Sequence, residues 1–123
     1  MRAILITFAI AGLIAAQTTM WGGDHIEMEV TGTGARLEFD CAHGTIDEPL
    51  RVDRKGAFKA KGTVTPEQSG PSRDGDAPRP AKATYAGTIT DDTMTLRIVV
   101  NGQDRDNTYV LARDRPGNVR KCR

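Results

Sequence analysis

Apolar and polar residues alternate with a period of two along much of the chain, starting near His25. From His25 to Val30, isoleucine, methionine and valine take one face and two glutamates take the other. The stretch from Ala35 to Cys41 repeats the pattern, and Thr31–Gly34 between them reads T-G-T-G. Such alternation is typical of half-buried strands, and a short glycine-containing connection joins antiparallel neighbours. These two stretches are therefore predicted to form a β-hairpin.

Later runs extend the same pattern to the end of the chain. Three of them alternate clearly: Phe58–Val64, Ala83–Thr90 and Thr93–Val100. A last run, Thr108–Arg113, carries three consecutive apolar residues, and two shorter candidates, Thr45–Asp47 and Leu50–Asp53, flank Pro49. Turn residues separate successive runs, and helical periodicity is not convincing after the first residues. The sequence thus predicts an all-β antiparallel meander of about seven to eight strands. A closed barrel is favoured over a sandwich because closure removes exposed sheet edges.

One connection, residues 65–81, departs from the short turns found elsewhere. It contains four of the six prolines together with two glycines. Unstructured loops of this length are uncommon in compact domains and are either functional or disordered. The Pro/Gly-rich composition favours a mobile, semi-extended loop.

The first residues are typical of a targeting segment. Arg2 supplies a positive charge, and Ala3–Ala16 is apolar apart from Thr7. This run is short for a membrane span and suits the apolar region of a signal peptide. We expect residues 1–16 to be a signal peptide and residues 17–123 to form a single exported β domain. An uncleaved anchor is the alternative.

Cys41 and Cys122 are the only cysteines. Export would place them in an oxidising compartment, where an even pair most simply forms a disulfide. Two free thiols are the alternative, and the absence of a C-x-x-C spacing argues against a redox-active pair.

Charge excludes two classes of partner. The chain has 17 basic and 16 acidic residues, and removal of Arg2 with the leader makes the two counts equal. Proteins that bind nucleic acid or an anionic membrane surface carry a clear excess of Lys and Arg. We therefore expect no nucleic-acid partner, and no membrane association after signal cleavage.

His25 and His43 are the only histidines, and His43 lies near Asp40, Asp47 and Glu48 in the sequence. Histidine nitrogens and carboxylate oxygens could bind a metal or support a metal-dependent hydrolase. The spacing does not require this, because the two histidines belong to separate segments. Polar strand ends and turns explain them more simply.

Other candidate chemistry is weaker. The only serines, Ser69 and Ser72, lie in the Pro-rich loop without a nucleophile motif. Outward carboxylates cluster on the first hairpin and suit a solvated strand face as well as a glycosidase: Glu27, Glu29, Glu38 and Asp40. Asn101–Asn107 is similar to a calcium loop but lacks its glycine register and distal glutamate. We interpret it as a hairpin loop. Trp21 could plug one end of the barrel or mark its rim, and we favour the plug. No catalytic, metal or cofactor-binding residue is assigned.

The segment Leu37–Pro49, LEFDCAHGTIDEP, has an F-D-C-A-x-G core. With Trp21–Gly23 and Gly56-x-Phe58, it resembles a group of small exported bacterial proteins of uncharacterised function. The resemblance implies a bacterial envelope or secreted setting, with the mature domain periplasmic or secreted, and it carries no site residues. A second, architectural likeness is to membrane-bound-type lysozyme inhibitors, which are also short barrels with an early cysteine paired to one near the C-terminus. Ala83–Gly87 is similar to their inhibitory loop region, but their Ser/Gly-rich motif is missing, so no residue is carried over.

These observations favour an exported, non-enzymatic binding or interaction module on a small barrel scaffold. Its partner would be another protein, engaging the loop at residues 65–81, or a small apolar ligand in the barrel mouth. The alternatives are a lysozyme-inhibitor-like envelope protein and a metal-dependent hydrolase that uses His25 or His43 with nearby carboxylates.

Overall fold

The fold is a closed, eight-stranded antiparallel β-barrel. The computed structural model describes residues 18–67 and 79–122. The strands are β1 (Thr19–Gly23), β2 (Ile26–Val30), β3 (Ala35–Phe39), β4 (Ala42–Ile46), β5 (Ala57–Pro66), β6 (Ala81–Thr90), β7 (Thr93–Val100) and β8 (Gln103–Arg113). Each strand pairs with the next, and β1 pairs with β8 to close the barrel. The predicted antiparallel meander and its closure are confirmed, and the sandwich alternative is wrong. No helix in the described ranges is long and apolar enough to cross a membrane.

The predicted first hairpin is confirmed as β2 and β3. Met28 lies opposite Leu37 inside the barrel, and Glu29 lies opposite Arg36 outside. The turn between the strands is closed by a 2.8 Å hydrogen bond from the Thr31 N–H to the Gly34 carbonyl. Cys41, placed at the end of the second strand by the alternation, instead has a positive φ of 57°. That conformation belongs to a turn and ends the strand at Phe39.

Side chains fill the barrel interior. Seven large residues are less than 2% exposed: Tyr85, Ile26, Met28, Leu37, Met94, Leu96 and Leu111. Among them, Tyr85 brings a hydroxyl into the core and donates it to the Thr63 carbonyl at 2.6 Å. Gly44 makes room for this phenol, because a Cβ at that position would overlap the Tyr85 oxygen. A buried polar group without a partner would cost stability, so this hydrogen bond permits a tyrosine here.

The structure corrects three details of the predicted strands. Leu50–Asp53 is not a strand, because the Asp53 carboxylate accepts hydrogen bonds from the N–H groups of Lys55 and Ala57 and forms a turn. The predicted loop at Asn101–Asn107 is mostly β8, and only Asn101 and Gly102 form the turn, with φ values of 51° and 75°. Two consecutive residues with positive φ are the signature of a tight I′ hairpin turn.

The third detail is Trp21. It belongs to β1, a strand that the alternation did not predict, and is only 2% exposed. This burial agrees with a side chain that fills the interior of the barrel and not with an exposed residue on its rim. The Arg113 guanidinium lies 4.5 Å from the centroid of its ring, within the range of a cation–π contact.

The Pro-rich connection is shorter at both ends than predicted. Pro66 ends β5, Ala81 begins β6, and Glu67 follows β5. The middle of the predicted loop, with Ser69 and Ser72, lies outside the described residues.

Residues 114–122 form a strap that runs from the end of β8 over the outside of β1 and back to the opposite end of the barrel. The Asp114 N–H donates to Met20 O at 2.7 Å, and the His25 N–H donates to Asn118 O at 2.8 Å. Gly22 allows the strap to lie close to β1, because a Cβ there would overlap the backbone of Arg115. The strap ends in the predicted disulfide.

The disulfide joins Cys41 to Cys122, whose Cα atoms are 4.9 Å apart. It therefore ties the β3–β4 turn to the end of the strap, across 81 residues of sequence. The predicted pairing is confirmed, and the free-thiol alternative is wrong.

Candidate binding site at the barrel mouth

The barrel interior opens at the end that carries the β1–β2, β3–β4 and β7–β8 turns. A cavity of about 160 Å³ lies there, which we call the mouth cavity. Its lining is almost entirely apolar: Phe39, Ala42, Val64, Ile98, Val100 and Tyr109, with Asp40 as the polar member. These positions continue the inward faces of five strands beyond the packed core.

A second cavity, the side groove, arises because β1 is shorter than β8. The two strands pair only at Trp21–Arg113 and Gly22–Ala112. Along the rest of β8, no described strand pairs with the edge of β8 that faces β1. The gap forms a groove of about 630 Å³, lined by Asp24, His25, Phe39, Asp40, Thr108, Tyr109 and Val110.

Phe39 and Tyr109 join the two cavities. Their ring centroids are 5.7 Å apart and their planes are tilted by 52°, an ordinary geometry for an aromatic pair. Both residues line the mouth cavity and the side groove. Phe39 is 5% exposed and Tyr109 is partly buried, whereas neighbouring Val110 is 60% exposed on the outer side. The wall that the two cavities share therefore consists of aromatic rings that are at least partly buried in the barrel.

The polar rim of the groove is organised around Asp40. His25 Nδ1 lies 2.5 Å from Asp40 Oδ2, and the Arg120 N–H donates to Asp40 Oδ1 at 2.7 Å. The hydrogen bond from Arg120, followed by the contact with His25, lowers the pKa of Asp40 in spite of some desolvation. The Asp40 carboxylate therefore remains ionised at neutral pH while it links the rim to the strap.

The second histidine belongs to a separate pair. His43 Nδ1 lies 3.1 Å from Glu67 Oε1, which also accepts a hydrogen bond from Lys121 Nζ at 2.9 Å. The bond from Lys121 is the main reason why the pKa of Glu67 is lowered. Burial disfavours the charge on Lys121, but hydrogen bonds from its ammonium group to Glu38 and Glu67 outweigh this and raise its pKa.

The arrangement that the hydrolase alternative requires is not assembled by the described residues. His25 and His43 contact different carboxylates, and no three described His, Cys, Asp or Glu side chains form a group able to bind a metal. Asp47 accepts a hydrogen bond from Thr45, and Glu48 accepts one from the Lys61 N–H. These two acids support strand ends at a distance from both histidine pairs.

The outward acids Glu27, Glu29 and Glu38 lie on strands of the first hairpin, as predicted. Glu38 forms an ion pair with Lys121 of the strap. The positions of these three acids are therefore explained by a solvated strand face.

The likeness to a lysozyme-inhibitor loop is not supported by position. Ala83–Gly87 lies within β6 and is not a loop. Tyr85, at its centre, is fully buried. This segment contributes to the barrel wall and core.

The residues that define the cavities were not singled out from the sequence, except for His25 and Asp40. Phe39 and Tyr109 appeared only as members of strand patterns. The available signal was that an aromatic residue ends one strand immediately before the D-C turn, while a second aromatic lies in the C-terminal strand. Only the register of a closed barrel brings the two together.

Comparison of the chain with models of known protein families, with curated proteins and with solved structures finds no significant match. The function therefore has to be inferred from the geometry of this barrel.

Proposed function

We propose that this protein is an exported, non-enzymatic binding module that holds an apolar group of a small ligand or a protein partner in its mouth cavity. One observation carries the proposal: the barrel is packed with side chains along most of its length, yet it leaves a cavity lined by Phe39 and Tyr109 at one end. Concave apolar sites with a few convergent polar groups are the usual form of ligand sites.

The scaffold suits this role. Closure of the eight strands and the strap hold the walls of the cavity in place without a ligand. A preformed site loses less conformational entropy on binding than one that must be ordered first. The disulfide and the apolar stretch Ala3–Ala16 support export, because disulfides persist in oxidising compartments.

A neutral aromatic probe tests the proposal. Benzyl alcohol titrated into the protein should give saturable shifts in the amide resonances of Phe39, Ala42 and Val100, with little change in the β4–β5 connection. Ala42→Leu places a larger side chain in the cavity and should weaken the binding.

Val52→Ala is the matched control. Val52 is 46% exposed in the β4–β5 connection, away from the mouth, and its loss should leave the titration unchanged. The proposal is abandoned if the shifts do not saturate, or if A42L binds the probe as well as the parent protein does.

A further inference from the structure

The mouth cavity ends at a packed layer inside the barrel. Alternate residues of a strand face the interior, so the residues two positions before Phe39 in β3 and before Ile98 in β7 lie one step deeper. These residues are Leu37 and Leu96, and each is less than 2% exposed. Tyr85, which pairs with Ile98, is equally buried, and its hydroxyl is held by a hydrogen bond to a backbone carbonyl. A ligand therefore cannot go deeper without displacing core side chains.

The volume of the cavity limits the group that it can hold. The mouth cavity measures about 160 Å³. For comparison, an apolar cavity of about 150 Å³ in a protein interior holds one benzene molecule. The mouth cavity thus has room for a group of about six carbon atoms, and the remainder of a longer chain would stay outside it.

Charges of both signs surround the mouth. Asp40 accepts a hydrogen bond from the Arg120 N–H and is within the influence of the Arg120 charge. On the other side, the Lys121 ammonium donates to the carbonyls of Phe39 at 3.4 Å and Ala42 at 2.9 Å. A charged ligand would meet attraction and repulsion together, and a charge moved into the apolar part of the cavity would lose its hydration. Size, and not the sign of a charge, is therefore the property that this cavity can select.

We propose that the mouth cavity selects its ligand by size and takes one compact neutral group of about six carbons, a single ring or a short alkyl chain, and not a long acyl chain. This inference rests on the proposed binding function and specifies its ligand class. A ring is favoured over a chain of the same number of atoms, because it loses less conformational entropy on binding and can pack against the aromatic wall.

A series of linear alcohols from 1-butanol to 1-octanol tests the size limit. Each methylene group that becomes buried should tighten binding about fourfold. We expect the dissociation constant to fall in this way up to 1-hexanol and then to change little, whereas an open-ended cavity would give a further gain of about 16-fold at 1-octanol. Benzyl alcohol should bind more tightly than 1-heptanol, which has the same number of non-hydrogen atoms. The readout is the set of amide shifts of Ala42, Ile98 and Val100.

A variant of the cavity wall should move the limit. Ile98 is a partly buried lining residue, and Ile98→Ala enlarges the cavity, so the gain in affinity should continue to alcohols longer than 1-hexanol. Ile89→Ala is the matched control, because Ile89 is also partly buried but lies at the opposite end of the barrel. It should leave the limit unchanged. The series in the parent protein tests the size limit even if Ile98→Ala does not fold.

The outcomes separate the two proposals. If affinity keeps rising through 1-octanol, or if folded I98A keeps the limit of the parent protein, the size limit is wrong and the binding module stands. If neither the alcohols nor benzyl alcohol bind, both proposals fail. The blocked tripeptide acetyl-Gly-Phe-Gly-amide distinguishes the two sources of a compact group. Tighter binding than benzyl alcohol supports a side chain of a polypeptide, and weaker binding supports a free compound.

Discussion

The N–H of Arg120 donates a 2.7 Å hydrogen bond to the carboxylate of Asp40, joining two residues that are 80 positions apart in the sequence. The adjacent Lys121 reaches Glu67 at the end of β5. Each of the two carboxylates also contacts a histidine, Asp40 with His25 and Glu67 with His43. Both histidine pairs are therefore connected to the strap just before its disulfide, at the end of the barrel where the cavities lie.

We predict that the ionic contacts between the strap and the barrel stabilise the fold only within a limited pH range. The pKa values of Asp40 and Glu67 are lower than their ordinary values of 3.8 and 4.5, so both stabilise the fold above these values and lose that contribution as the pH falls through the lowered ones. The pKa of Lys121 is raised above 10.5, so its contribution is present below that value and is lost as the pH rises further.

Urea unfolding as a function of pH measures this window. The free energy of unfolding should fall below about pH 4.5, in line with the ordinary glutamate pKa. The double variant Asp40→Asn, Glu67→Gln should show a smaller fall between pH 6 and pH 3. An identical pH profile for the variant and the parent would mean that other carboxylates control acid stability.

The disulfide should account for a large share of the stability without determining the fold. Chain-entropy arguments assign roughly 4 to 5 kcal/mol to a bridge that closes a loop of 81 residues. The double variant Cys41→Ser, Cys122→Ser should lose up to about this amount and keep its β-sheet circular dichroism, because the eight strands pair with one another in a closed barrel and the disulfide joins only a turn to the strap.

Hydrogen exchange shows which part of the molecule responds to loss of the disulfide. In the double serine variant the N–H of His25, bonded to Asn118 O, should lose protection before the N–H groups of the β5–β6 ladder. Uniform loss of protection over the whole barrel would contradict an independently folded sheet.

Gly22→Ala is predicted to displace the strap. The added methyl group would overlap the backbone of Arg115 and Pro116, which lie between two residues bonded to β1, Asp114 through Met20 O and Asn118 through Gly23 O. Overpacking of this kind costs about 1 to 3 kcal/mol. The measurement is the free energy of unfolding, together with exchange of the Asn118 N–H, which donates to Gly23 O.

Glu29→Ala on the adjacent strand controls for side-chain changes on this outer face and should alter stability by less than about 0.5 kcal/mol. If Gly22→Ala is as stable as this control and Asn118 remains protected, the strap does not depend on close approach to β1.

Alternation predicted most of the strands, because a half-buried sheet requires every second side chain to be apolar, and closure into a barrel was predicted because it removes exposed sheet edges. It failed at β1, where Thr19–Gly23 has two glycines and only Met20 and Trp21 as large apolar residues. That strand exists because its backbone pairs with β2 and closes the sheet. Leu50–Asp53 shows the opposite failure: the backbone N–H and carbonyl of Asp53 are bonded to Ala57 and Gly56 in a local turn and not to a neighbouring strand.

The site was less predictable for a physical reason. His25 and Asp40 were visible as candidate chemical groups, but their contact depends on two turns that meet at one end of the barrel. The pairing of Phe39 with Tyr109 is set by closure between the two ends of the chain. Neither contact can be predicted from the spacing of residues along the sequence.

The final prediction concerns export. If Ala3–Ala16 is the apolar part of a signal peptide, the protein recovered from the periplasm or medium of an expressing bacterium should begin at Gln17. Its mass should be two hydrogens below that of the reduced chain, because Cys41 and Cys122 are bonded.

The double variant Leu5→Arg, Ile10→Arg introduces two charges into Ala3–Ala16. Its full-length chain should stay in the cytoplasm, because a signal peptide requires an uninterrupted apolar region. Thr18→Arg, placed after the expected cleavage point, is the matched control for added charge and should still be exported. A full-length chain recovered with the membrane fraction would instead indicate an uncleaved anchor, and export of the doubly charged variant would show that the apolar stretch does not direct the chain.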